Sequence, residues 1–80
     1  MKVLFYGRLA DVIGPELEVN CPAGCSVSQL RERLGAEHPL AAQTLRSKRA
    51  RTCIGDLLVH DDHVLSAVDT VEFLPPVSGG

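Results

Sequence analysis

The chain has 80 residues, 45% apolar and 22% charged, with a formal net charge of −2 at pH 7. That describes one small domain of ordinary globular make-up with room for a single core, and the slightly acidic balance argues against nucleic acid as the main partner. No apolar stretch is long enough to span a bilayer, and a strand-like start leaves no room for a leader, so the cytoplasm is the expected location.

Lys2-Val3-Leu4-Phe5-Tyr6 is rich in strand formers and is closed by Gly7. Residues 8–13 place Leu9, Val12 and Ile13 at helical spacing, enough for one short turn before Gly14-Pro15. Residues 16–20 alternate as a strand should, with Leu17 and Val19 facing inward. Pro22-Ala23-Gly24 reads as a loop. Ser26 and Gln29 have the spacing of a capping box, so a helix starts there. Val27, Leu30 and Leu34 form its inner face, Arg31, Glu32 and Arg33 its outer face, and Gly35 is placed to end it. Residues 38–45 are weakly helical, with Pro39 suited to a first turn.

Arg46, Lys48, Arg49 and Arg51 make a basic cluster, read as a solvated loop in preference to a docking patch. Residues 52–54 and 57–59 form two short strands around a Gly55-Asp56 turn, and 70–74 the last strand. His60-Asp61-Asp62-His63 reads as an exposed polar turn, not a metal cluster. Cys21 and Cys25 lie four apart around Pro22 and Gly24 with no histidine at finger-like spacing, and Cys53 sits in an apolar run as a small buried hydrophobe. Reduced thiols and no metal site are expected.

These pieces join as an α+β layer: a mixed sheet of four to five strands, one main helix across it, strands one and two as a hairpin, and the last strand beside the first. The β-grasp is the economical way to connect them. It occupies residues 1–74.

Residues 75–80 read as a tail. Pro75 and Pro76 stiffen it toward polyproline II, which gives a reach of about 20 Å if extended. Val77 and Ser78 continue it, nothing beyond Val77 can pack on the domain, and a mobile end is expected. Gly79 and Gly80 lack Cβ atoms and can thread a narrow slot with the terminal carboxylate leading. Strand parity adds a second feature. With Val3, Phe5, Leu57, Val59, Val71 and Phe73 inward, Leu4, Tyr6, Leu58 and Leu74 point to the uncovered face, Leu74 beside Glu72 and Thr70. So concentrated a patch reads as a docking surface at the root of the tail.

The opening Lys2–Tyr6 run, the Gly14 turn and the ending Val71-Glu72-Phe73-Leu74-Pro75-Pro76-Val77-Ser78-Gly79-Gly80 resemble the molybdopterin synthase small-subunit family of ubiquitin-like sulfur carriers. That resemblance implies that a ubiquitin-activating-type enzyme, using ATP and magnesium, adenylates the Gly80 carboxylate. Sulfur from a persulfide donor then yields a thiocarboxylate. The carrier delivers it in the active site of a large synthase subunit, in an assembly of two small and two large chains. The acceptor is a cyclic pyranopterin monophosphate that becomes the molybdopterin dithiolene. The resemblance also implies that this chain is no enzyme alone and binds no cofactor stably, that Tyr6, Leu58 and Leu74 are docking contacts, and that Pro75 to Gly79 are the inserted stem. Three rivals remain: a carrier for another pathway such as thiamin thiazole synthesis (where the diproline is unusual), a ubiquitin-like modifier joined to lysines, and a plain interaction domain.

Overall fold

The computed structural model describes residues 1–20, 24–47 and 50–74. The expectations placed on Cys21, Pro22, Ala23, Lys48, Arg49 and the 75–80 tail lie outside them. The elements are β1 (Lys2–Phe5), α1 (Gly7–Ile13), β2 (Glu16–Glu18), α2 (Val27–Glu37), a 3₁₀ turn (Pro39–Ala41), α3 (Ala42–Arg46), β3 (Arg51–Ile54), β4 (Leu57–Val59) and β5 (Thr70–Leu74). The strands form one mixed sheet in the order β2-β1-β5-β3-β4. β1 pairs antiparallel with β2 and parallel with β5, and β3 is antiparallel to both β4 and β5. The last strand does lie beside the first. This is the β-grasp arrangement.

The helices cover one face because every second strand residue there is apolar. Val3, Phe5, Val71 and Phe73 are buried with Leu9 of α1, Val27, Leu30 and Leu34 of α2, and Leu45 of α3. The parallel register sets Phe5 against Phe73, whose rings stack at 5.9 Å with 10° between planes. Such a pair adds about 0.5–1.5 kcal/mol to its burial. In α1, Leu9 is buried and Ile13 packs against the core, while Val12 turns outward. β2 ends at Glu18, two residues earlier than expected, yet Val19 is buried as anticipated.

α2 starts where the sequence says. Ser26 Oγ accepts from the Gln29 backbone N–H at 3.1 Å, and Gln29 Oε1 accepts from the Ser26 N–H at 2.9 Å. It does not stop at Gly35. The helix runs on to Glu37, and Gly35 is buried inside it. It sits where α2 meets α3: a Cβ built at Gly35 would stand 3.4 Å from Ala42 Cβ, an ordinary van der Waals contact. At the β3–β4 turn, Gly55 has φ 60° and Asp56 a negative φ. A glycine in that first central position is what a type II′ hairpin requires.

Arg31 is the main departure from expectation. Assigned to the solvent face, it is only 8% exposed. Its spacing explains this, since it lies four residues after Val27 and three before Leu34, on the inner stripe. The guanidinium donates to the carbonyls of Leu45, Ser47 and Ala50 and to Thr52 Oγ1, and stacks 5.4 Å from the Phe73 ring centroid. Nε faces Asp61 Oδ1 at 3.0 Å, an ionic contact without the alignment of a hydrogen bond. One side chain thus ties α2 to the end of α3, the start of β3 and the turn after β4. Among the described residues no helix is long and apolar enough to cross a membrane.

Candidate functional site: the open face of the sheet

The face opposite the helices follows from the register alone. Leu4 on β1 pairs with Glu72 on β5, Glu72 with Cys53 on β3, and Cys53 with Leu58 on β4. These four side chains form one row across the sheet. Leu74, the last residue of β5, stands opposite Arg51 of β3. Leu4, Glu72, Leu74 and Cys53 are half-buried, while Tyr6 and Leu58 are 40% and 44% exposed. Parity therefore brings Leu4, Tyr6, Leu58 and Leu74 to one surface, with no described element over it.

Three details differ from the sequence reading. Leu57 has inward parity but is 65% exposed, because β4 is the sheet edge and no helix reaches over it. Cys53 belongs to the open face and not to the core, where its partner across β5 is a carboxylate. The basic cluster divides: Arg46 reaches Glu32 of α2 at 3.5 Å, and Arg51 lies on the open face.

The polar centre of this surface is a pair that periodicity does not show. The Tyr6 hydroxyl donates to Glu72 Oε2 at 2.6 Å. This bond raises the Tyr6 phenol above its ordinary value of 10.0, with desolvation and the negative charge of Glu72 adding to it. The folded pKa being the higher one, the bond's contribution is complete below pH 10 and fades as pH rises through the folded value. Tyr6 is the sole tyrosine, so phenolate absorbance reports it directly. The expected midpoint lies above 10.0 and moves back toward it in Glu72→Gln. Equal midpoints in the two proteins would contradict the bond.

Other candidate chemistry is absent among the described residues. No group of three or more His, Cys, Asp or Glu side chains is placed to hold a metal ion. His60, Asp61, Asp62 and His63 are all exposed, as a polar turn should be, and Asp61 is engaged with Arg31. A cleft of ≈ 420 Å³ flanks β4 between Arg51, Leu58 and residues 60–62. Arg31 also lines it, and the donors of that guanidinium already serve the fold. What the described surface offers is docking area, and the strand beneath it leads directly into 75–80.

Comparison with known proteins shows the family and agrees on the fold. The ThiS family model matches residues 3–80. The molybdopterin synthase sulfur carrier subunit of Escherichia coli (strain K12) is 30% identical over 80 residues, covering 100% of this chain and 99% of that protein. Two solved structures share the fold. A candidate molybdopterin converting factor, subunit 1, from Pyrococcus furiosus superposes with a TM-score of 0.83 at 24% identity, over 95% of each chain. SAMP1 from Haloferax volcanii superposes with a TM-score of 0.78 at 22% identity, over 99% of this chain and 97% of its own.

Proposed function

The chain belongs to the ThiS family, and from that membership we propose that it is the sulfur carrier subunit of a molybdopterin synthase. The observation that carries the reading is the apolar patch of Leu4, Tyr6, Leu58 and Leu74 on the open sheet face, at the root of the segment that ends in Gly79-Gly80. The 30% identity to a carrier of that name supports the choice of pathway.

In this reading residues 1–74 are the docking body and 75–80 the delivery arm. A carboxylate resists nucleophiles because it is negatively charged and has no good leaving group. A partner enzyme of the ubiquitin-activating type therefore uses ATP and magnesium to form an acyl-adenylate on Gly80, with loss of pyrophosphate. Sulfur from a persulfide donor displaces AMP, and a thiol reductant releases the thiocarboxylate. Activation divides one hard transfer into easier steps. Docked on the large subunit, the arm places this sulfur against a cyclic pyranopterin monophosphate to build the dithiolene. Pro75 and Pro76 limit the entropy lost when the arm is threaded, and Gly79 gives clearance. Catalytic acids and bases belong to the partners, the assembly is two small and two large chains, and its place is the cytoplasm.

Leu58→Asp and Leu74→Asp test the docking face. A charge set into a desolvated contact of this kind costs about 2–4 kcal/mol of binding, so the affinity for the large subunit falls by a factor of about 30 to 10³. Leu58 is exposed in the free chain, and replacing it changes stability by no more than about 0.5 kcal/mol. Unchanged affinity in a titration removes the docking surface from the account.

The second reading is a protein modifier, suggested by the fold shared with SAMP1, a small archaeal modifier protein. It differs in product. A modifier's Gly80 ends in an amide to a lysine, a carrier's in a thiocarboxylate. The thiazole-pathway carrier has the same product as the synthase subunit and differs in which partner binds the open face.

A further inference from the structure

Glu72 is not explained by apolar docking. It lies on β5, the middle strand of the sheet, with Leu4 beside it on one side and Cys53 and then Leu58 on the other. The carboxylate is half-buried in the free chain. Tyr6 donates to Oε2 at 2.6 Å and fixes the group's orientation, leaving most of its acceptor capacity unused. Among the described residues no cation lies within ion-pair distance of it. Of the basic side chains on this face, Lys2 is engaged with Glu16 at 4.0 Å, and Arg51 stands in register with Leu74.

Any protein that covers Leu4, Leu58 and Leu74 covers Glu72 as well. A carboxylate sealed under an apolar surface loses its water and keeps only the neutral hydrogen bond from Tyr6, which does not offset the loss. A basic group aimed at it reverses the sign of that contribution and selects among partners, since a partner lacking the cation leaves a charge buried and unpaired. Resting on the docking reading above, we propose that the partner on this face presents an arginine or lysine side chain to Glu72, making Glu72 the residue that selects the partner on a surface otherwise held by apolar contact. The Tyr6 hydroxyl holds the carboxylate ready for that cation.

The test is the affinity of the full chain for the large synthase subunit of its own organism, measured at low and high salt, for the parent and for Glu72→Gln, Glu72→Leu and Leu58→Asp. Glutamine keeps the shape of the side chain and an oxygen for Tyr6, and removes only the charge. The expected result is at least ~tenfold weaker binding for Glu72→Gln, with a shallower salt dependence than the parent, and a loss at least as large for Glu72→Leu. Binding by Glu72→Leu as tight as the parent's, or tighter, overturns the proposal, because the carboxylate is then tolerated and not used. Leu58→Asp separates the two layers. If it abolishes binding while both Glu72 variants bind normally, the paired cation alone is wrong. If it leaves binding intact, the docking face falls and this proposal with it.

Discussion

Removing Gly80 eliminates sulfur transfer while leaving the fold as stable as before. The truncated chain still ends in a glycine carboxylate, so the chemistry of the terminus is nearly unchanged and the loss isolates reach. The arm becomes shorter by about 3.3–3.6 Å, and misplacement of a reacting atom by even ~1 Å can cost on the order of 10²-fold in rate. In the proposed cycle the same end must fit two active sites in turn, so the deficits of adenylation and delivery compound. Stability is expected to be insulated because the buried residues described in β5 end at Phe73, seven positions before Gly80. Molybdopterin formed at the parent rate by the truncated chain would exclude Gly80 as the sulfur-bearing residue.

Arg31→Ala is expected to be the most damaging single truncation of a polar side chain. It strips three backbone carbonyls and Thr52 Oγ1 of their donor and leaves the Phe73 ring without its cation. Each buried acceptor left without a donor costs about 1–3 kcal/mol, so the set costs at least ~3 kcal/mol, against a total of roughly 4–12 kcal/mol for a domain of this size at ~0.05–0.15 kcal/mol per residue. The unfolding midpoint should fall by more than ~12 °C. Lysine does not rescue it, because an ammonium cannot serve as a planar fork. Asp61→Asn is the control: its carboxylate is 53% exposed, and loss of that ionic contact alone costs less than about 1 kcal/mol. A midpoint for Arg31→Ala within a few degrees of the parent would show that the carbonyls find water and that the clasp is dispensable.

Much of this fold was legible because its signals are local. The bounds of β5, the Ser26–Gln29 capping box and the Gly55-Asp56 turn each follow from adjacent residues, and strand parity alone put Leu4, Tyr6, Leu58 and Leu74 on one face. The parts that were missed depend on partners distant in sequence. Arg31 looks like a surface charge until α3 and β3 close over it, although its place between Val27 and Leu34 was a usable hint. Gly35 resembles a helix stop, yet α2 runs two residues past it and packs there against Ala42 of another element. Cys53 reads as core because its run is apolar, and only the β3–β5 register shows which way it points. The Tyr6–Glu72 bond joins residues 66 positions apart, which no periodicity reveals. Glu72 itself was correctly placed on the face of Leu74, but its partner was not.

The central claim is that Gly80 carries sulfur, and the mass of the intact protein tests it most directly. The full chain is co-expressed with the adenylating enzyme and the persulfide donor, purified and weighed, and its C-terminal peptide is then fragmented. The account predicts a single exchange of oxygen for sulfur, confined to Gly80 and absent when the adenylating enzyme is omitted. A chain that keeps both terminal oxygens, or a ladder of heavier species in which Gly80 is joined to lysines, would contradict it.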